Sequence, residues 1–327
     1  MKKLLGVFAL LCLLASCAPG RQPVEEEPPA LTVIGVSQLG SESGFRVANS
    51  ESIRSAFSEE AGYRLLFDDA RQKQENQIAA IRKFIQQQVD CIVLMPLCVT
   101  GWDSVLQEAR EAGIPVILVD RTIETEDESL YAAHVGSDFQ WEGEQAAAWR
   151  EDAFQDAPGP VNILHIQGML GSSAQLERSA ALEEAVDRHE SWTILAQLDG
   201  DFTQAKAYEE TANWLDSQPG RPHIHALYCE NDSSAFGAIQ ALEERGYTCG
   251  EEGVRVISFD ATRQGLACCM EGRISLEVEC NPLMGPLVEE VIRTLKEGGT
   301  PDKHYYTRER LFTPGTLSQD LIDRRPY

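Results

Sequence analysis

The stretch QKQENQIAAIRKFIQQQVDCIVLMP, residues 72–96, sets how the rest of the chain reads. Ile78, Ile81 and Ile85 recur at helical spacing with Phe84 beside them, which predicts an amphipathic helix over Lys73–Gln88. The apolar run Cys91–Leu97 follows directly and predicts a strand. A helix feeding a strand in this way is one unit of a parallel sheet with both faces covered.

The same unit repeats on either side. Strands are predicted at Leu31–Gln38, Arg64–Asp69 and Pro115–Asp120, with helices at Gly44–Ala61 and Trp102–Ala112. The alternation then restarts. Strands are expected at Asn162–Gln167, Thr193–Leu198, Ile224–Glu230, Arg255–Asp260 and Ser275–Cys280. Helices are expected at Gln140–Phe154, Gln175–Arg188, Thr203–Asp216, Ser233–Arg245 and Gly285–Glu297. The fold class is therefore α/β, and 327 residues suit two doubly wound parallel-sheet units better than one very large sheet.

Ahead of the first strand the chain has another character. Lys2 and Lys3 precede the short apolar core LLGVFALLCLL (4–14), the form of an export signal over residues 1–16. It ends in Leu14-Ala15-Ser16-Cys17, which resembles the lipobox of bacterial lipoproteins, so Cys17 is the expected site of lipidation and membrane anchoring. Residues 18–30, APGRQPVEEEPPA, are rich in Pro and Glu and make an extended, charged spacer reaching about 40–45 Å. The expected location is extracytoplasmic, lipid-anchored to a bacterial membrane. No later run is long and apolar enough to span a bilayer.

Fifty-two acidic against 28 basic residues give a formal net charge of −24, which repels phosphate backbones and argues against nucleic acid as partner. Of nine cysteines, Cys12 leaves with the signal and Cys17 anchors; the remaining seven are odd in number and show no zinc spacing, so no metal site or disulfide map follows. His223 and His225 lie two apart without a third ligand and read as strand residues.

Ligands of open parallel sheets sit beyond the carboxyl ends of the strands. At those ends stand Glu42, Phe45 and Arg46, then Asp120 and Arg121, then Gly168–Ser173 with Arg178 a turn into the next helix, then Glu230-Asn231-Asp232, Asp260 and Asn281. Planar groups of this kind each bond two adjacent hydroxyls, and an aromatic ring covers the C–H face of a sugar. Phe45 and Phe202 are the candidate rings, with Trp141 a weaker one. Asp232 doubles as a candidate helix cap. Asp120-Arg121 follows an apolar strand and so reads as a buried pair, whereas Glu124–Glu128 reads as a solvated loop.

No cofactor is implied. Gly40-Ser41-Glu42-Ser43-Gly44 is neither G-x-G-x-x-G nor G-x-S-x-G, and no phosphate-cradling G-x-x-x-x-G-K-[ST] occurs, so an enzyme is not expected.

The motifs SQLGSESGFR (37–46), QKQENQI (72–78), TGWDSVLQEAREAGIPVILVDR (100–121), GDFT (200–203), ENDSSAFGAIQAL (230–242), ISFDA (257–261) and VECNPLMGP (278–286) together resemble the type I sugar-binding proteins of ABC transporters, over nearly all of residues 31–327. The S-Q-x-G-S-E-S-G-[aromatic]-R start is most similar to the galactofuranose-binding branch, with Phe45 where that branch carries Trp.

The resemblance implies two Rossmann-like lobes joined by a three-strand hinge, the architecture of a type I periplasmic binding protein. The implied lobes are 31–138 with 282–312 and 139–281 with 313–327, crossing near 138, 281 and 312. A monomer would close over one monosaccharide, galactofuranose or a related aldose, and deliver it to a permease. Glu42, Phe45, Arg46, Asp120 and Arg121 would contact ligand from the first lobe. Arg178, Phe202, Asn231 and Asp260 would do so from the second, with Asn281 at the hinge. A sugar-sensing partner of a membrane histidine kinase or chemoreceptor, or a binder of another pentose or hexose, would read the same way.

Overall fold

The runs Cys91–Leu94 and Val116–Val119 are apolar and buried at every position, which fits strands covered on both faces. In the computed structural model, which describes residues 30–155 and 159–327, they form β3 and β4 of the first of two sheets. The chain builds that sheet as β1 (Thr32–Gln38), α1 (Gly44–Ala56), β2 (Tyr63–Asp69), α2 (Gln74–Gln86), β3, α3 (Asp103–Glu111), β4 and β5 (Ala133–Gly136). The second comprises α4 (Phe139–Phe154), β6 (Val161–Gln167), α5 (Ser173–Asp187), β7 (Trp192–Asp199), α6 (Gln204–Ser217), β8 (Ala226–Cys229), α7 (Asp232–Glu244), β9 (Arg255–Asp260), α8 (Arg263–Met270) and β10 (Leu276–Glu279). The remainder is α9 (Gly285–Lys296), β11 (His304–Tyr306), β12 (Leu311–Phe312) and α10 (Gln319–Asp323).

The strand orders are β11-β5-β4-β3-β1-β2 and β12-β10-β9-β8-β6-β7. Every pairing is parallel except β10 with β12. Between sheets the chain passes three times: between Gly136 and Phe139, between Glu279 and Gly285, and between Tyr306 and Leu311. The last passage corrects the expectation of a crossing near 312. Leu311 and Phe312 already pair with Val278 and Glu277, so they belong to the second sheet. A two-residue strand leaves no periodicity to read.

Other differences are local. The apolar stripe of α2 is rotated from the one expected: Gln77, Ala80, Ile81 and Phe84 are buried, while Ile78 and Ile85 are only partly so. Gln77 is at home in the core because it bridges the ends of β1 and β3. Its Nε2 donates to Met95 O at 2.7 Å, and its Oε1 accepts from Leu97 N at 3.0 Å. β5, β11, β12, α8 and α10 were not expected; each is short, and α8 opens on a Thr262 cap rather than an apolar period. The export signal, Cys17 and the spacer through Pro29 lie outside the described residues. No described helix is long and apolar enough to cross a membrane.

Candidate functional site

Parallel strands end on one edge of each sheet, and the two such edges supply the walls of a common chamber. It is lined by Glu42, Ser43, Phe45, Arg46, Asp120, Arg121, Phe139, Ala174, Arg178, Phe202, Asn231, Asp260 and Cys280. It holds about 310 Å³ of space between atoms.

The first sheet contributes a charged network. Ser43 caps α1, its Oγ accepting from Arg46 N at 3.2 Å, and this turns Glu42 and Arg46 toward the chamber. Arg46 Nη2 lies 2.8 Å from Asp120 Oδ2, and its Nε lies 3.5 Å from Glu42 Oε1. Arg121 donates from Nη1 to Leu97 O at 2.7 Å, and its guanidinium lies 5.3 Å from the Phe202 ring centre. Asp120, Arg121 and Arg46 are only 2–4% exposed. Burial, and then the Arg46 charge, pushes the Arg121 guanidinium down to about 10. Several buried polar atoms here have no hydrogen-bond partner within the protein: Glu42 Oε2, Arg46 Nε and Nη1, and Arg121 Nε.

The second sheet contributes a better-anchored wall. Arg178 donates from Nε to Glu142 Oε2 at 2.7 Å and from Nη1 to Glu230 O at 2.6 Å, and its Nη2 pairs with Glu142 Oε2 at 2.6 Å. Asn231 caps α7 by accepting from Ser234 N at 2.9 Å while its Nδ2 donates to Phe202 O at 3.1 Å. The cap is therefore Asn231, not Asp232. Asp232 instead accepts from Ser258 Oγ and from both Thr262 N and Oγ1 at 2.6–2.9 Å. Burial holds the Asp260 carboxyl well above its ordinary value, with Asp232 adding to the effect and Arg178 opposing it. Phe202 is pinned from behind: a Cβ at Gly168 would sit 2.0 Å from its Cζ.

Asp120 (φ 66°) and Asp260 (φ 94°), at equivalent strand ends, both occupy the left-handed region that ordinary residues avoid. Such conformations cost about 1–3 kcal/mol each and gather at functional sites.

Nine of the ten expected site residues thus meet at one chamber. Asn281 does not line it. Its Oδ1 accepts from Leu283 N at 3.0 Å and its N donates to Glu309 Oε1 at 3.1 Å, so it shapes a crossing turn. The neighbour facing the chamber is Cys280, which sequence reading placed inside the strand. Ser43, Phe139 and Ala174 were likewise missed: a cap, a first helical residue and a small side chain carry no sequence signal of a pocket. Trp141 also lies outside the lining.

Against known proteins, residues 34–278 match the model of the periplasmic binding protein domain. Over 326 residues, 99% of this chain and 98% of the other, it is 34% identical to the galactofuranose-binding protein YtfQ of Escherichia coli K12. A Mycobacterium smegmatis structure in complex with β-D-fucofuranose superposes with a TM-score of 0.82 at 39% identity, covering 88% of this chain and 92% of that one. The binding component of the arabinose ABC transporter of Shewanella sp. ANA-3, bound to α- and β-L-arabinofuranose, gives 0.83 at 35% identity, covering 90% and 96%. With matches of this extent, two like-ordered sheets and a chamber between them, the chain belongs to the periplasmic binding protein domain family.

Proposed function

We propose that this chain binds one neutral monosaccharide, an aldofuranose with galactofuranose the first candidate, and hands it unchanged to an ABC importer. The observation that carries the reading is the chamber itself. Three guanidiniums and three carboxyl groups line it, with buried bonding positions left over and the rings of Phe45 and Phe202 among its walls. The balance of positive and acidic groups suits a ligand rich in hydroxyls and poor in charge. Carboxylates accept from hydroxyls, guanidiniums donate to vicinal oxygens, and ring faces cover C–H surface. The relatives and neighbours named above carry furanose sugars in their descriptions, which supports the five-membered ring.

Residues 31–138 with α9 and β11 would act as one lobe, and residues 139–281 with β12 and α10 as the other. Sugar touching both lobes stabilises the closed arrangement by its differential contacts, and the importer reads closure. Glu42, Phe45, Arg46, Asp120, Arg121, Arg178, Phe202, Asn231 and Asp260 are the proposed contacts. The Leu14-Ala15-Ser16-Cys17 sequence supports a lipid on Cys17 that tethers a monomer outside the cytoplasm. Calorimetry against galactofuranosides, arabinose, pyranose-locked glycosides, uronic acids and sugar phosphates tests the ligand. Saturable binding of a neutral furanose is expected; preference for an anionic sugar, or turnover of any sugar, would overturn it.

A further inference from the structure

All three passages between the sheets converge on one oxygen. Glu309 Oε1, in the third passage, accepts from Ser137 Oγ in the first, from Asn281 N in the second at 3.1 Å, and from Thr307 Oγ1 in its own at 2.7 Å. Ser137 Oγ also lies 3.2 Å from Cys280 Sγ, which ties the first passage to the second a second time. The cluster does not stop at the hinge. A carboxylate oxygen of Glu309, Cys280 Sγ and a carboxylate oxygen of Glu142 lie within 4.8 Å of one another. Cys280 lines the chamber, and Glu142 grips the chamber residue Arg178 through two of its nitrogens.

We infer that Glu309 is a positioning residue: its carboxylate clasps the three connecting segments in the closed arrangement and so sets the closed population and the lifetime of bound sugar. Opening a two-lobed protein changes a few backbone dihedrals in its connecting segments. A single acceptor shared by all three must lose or re-form bonds when they move relative to one another. The inference rests on the two-lobed binding reading for its ligand readout but has a second readout that needs no ligand.

The test uses the purified chain and its Glu309→Ala, Glu309→Asp and Glu309→Gln variants. Without ligand, small-angle scattering should show Glu309→Ala and the shorter Glu309→Asp expanded relative to the parent, while Glu309→Gln, which keeps an acceptor at the same reach, stays near it. With D-galactose, equilibrated so that its furanose form is present, the first two should lose affinity roughly tenfold, within the 5–150-fold typical of coupled sites. The loss should fall in the dissociation rate, and Glu309→Gln should recover most of it. Where Glu309→Ala fails to fold, Ser137→Ala and Thr307→Val each remove one donor and should give smaller shifts of the same sign. Scattering and dissociation rates unchanged across the series, with only the melting temperature lowered, would reduce Glu309 to a structural residue and overturn the inference. A parent chain that binds no sugar but whose variants still expand would leave the clasp standing and reject the ligand reading instead.

Discussion

The two halves of this molecule share one blueprint and use it differently. Strand by strand their sheets have the same order. The likeness reaches single dihedrals: Asp120 after β4 answers Asp260 at the end of β9, and Arg71-Gln72 after β2 answer Asp201-Phe202 after β7, all with positive φ. Yet the first half presents charged groups with bonding positions to spare, in Glu42, Arg46 and Arg121. In the second half, the three guanidinium nitrogens of Arg178 and both ends of the Asn231 amide are already engaged. Duplicated topology fixes where a ligand can sit. The side chains then divide the work, the first half offering most of the bonds and the second, Asp260 apart, a preset wall.

This division has measurable consequences. Removing Asp120 should have the largest effect, because buried Arg46 loses its nearer carboxylate, leaving only Glu42, and buried Arg121 loses the one 3.9 Å from its Nε. Breaking such a pair from one side costs about 3–5 kcal/mol. Urea denaturation of Asp120→Ala should register a loss of that order and calorimetry should find no sugar binding. Intact binding would break the comparison at its strongest point.

Next comes Arg121→Ala. A hydrogen bond from a charged group contributes about 1.5–3 kcal/mol, so affinity should fall by roughly 10–100-fold, while Glu126→Ala, in the exposed loop, should leave it untouched. Equal effects would place the pocket elsewhere. A smaller loss is expected for Gly168→Ala in the preset wall. The added methyl would collide with Phe202, and overpacking of this kind costs about 1–3 kcal/mol. A crystal structure of the variant should show the ring displaced, and an unmoved ring would show the wall to be less rigid than argued.

The smallest effect concerns pH and separates the halves again. The second carries a buried acid, Glu277, whose register places it beside Ser258, the donor to Asp232. Burial pushes Glu277 well above its ordinary range, and Asp232 reinforces the shift. The folded state holds that proton more tightly than the unfolded chain does. Its stabilising contribution is therefore full below the ordinary carboxylate value of 4.5 and is lost as pH rises through the raised value. Unfolding free energy measured from pH 5 upward should decline in the parent and decline less in Glu277→Gln. Identical slopes would mean that the proton is not held there.

How much of this could be read in the sequence depends on how each residue announces itself. Asp120 and Asp260 were legible because an abrupt polar residue after an apolar run marks a strand's carboxyl end. Asn281 was expected at the chamber, whose lining residue is its neighbour Cys280, while the Asn281 amide oxygen accepts from Leu283 N. Gln77 was unreadable as core, since nothing in a lone Gln tells that three backbone groups await it. The third passage was shifted because β12, two residues long, takes its identity from its partner β10 alone. Glu309 gave no sign at all, because its role comes from three segments far apart in the chain.

The close approach of Phe202 to Gly168 also bears on how such a receptor could be retargeted. That ring has no room to retreat, so a bulkier guest cannot be accommodated by swinging it aside. Breadth must be found elsewhere in the chamber, where Phe45 and Ala174 border the space without a glycine backstop behind them. Selection for new guests would be expected to alter those two positions long before it touched the pinned ring.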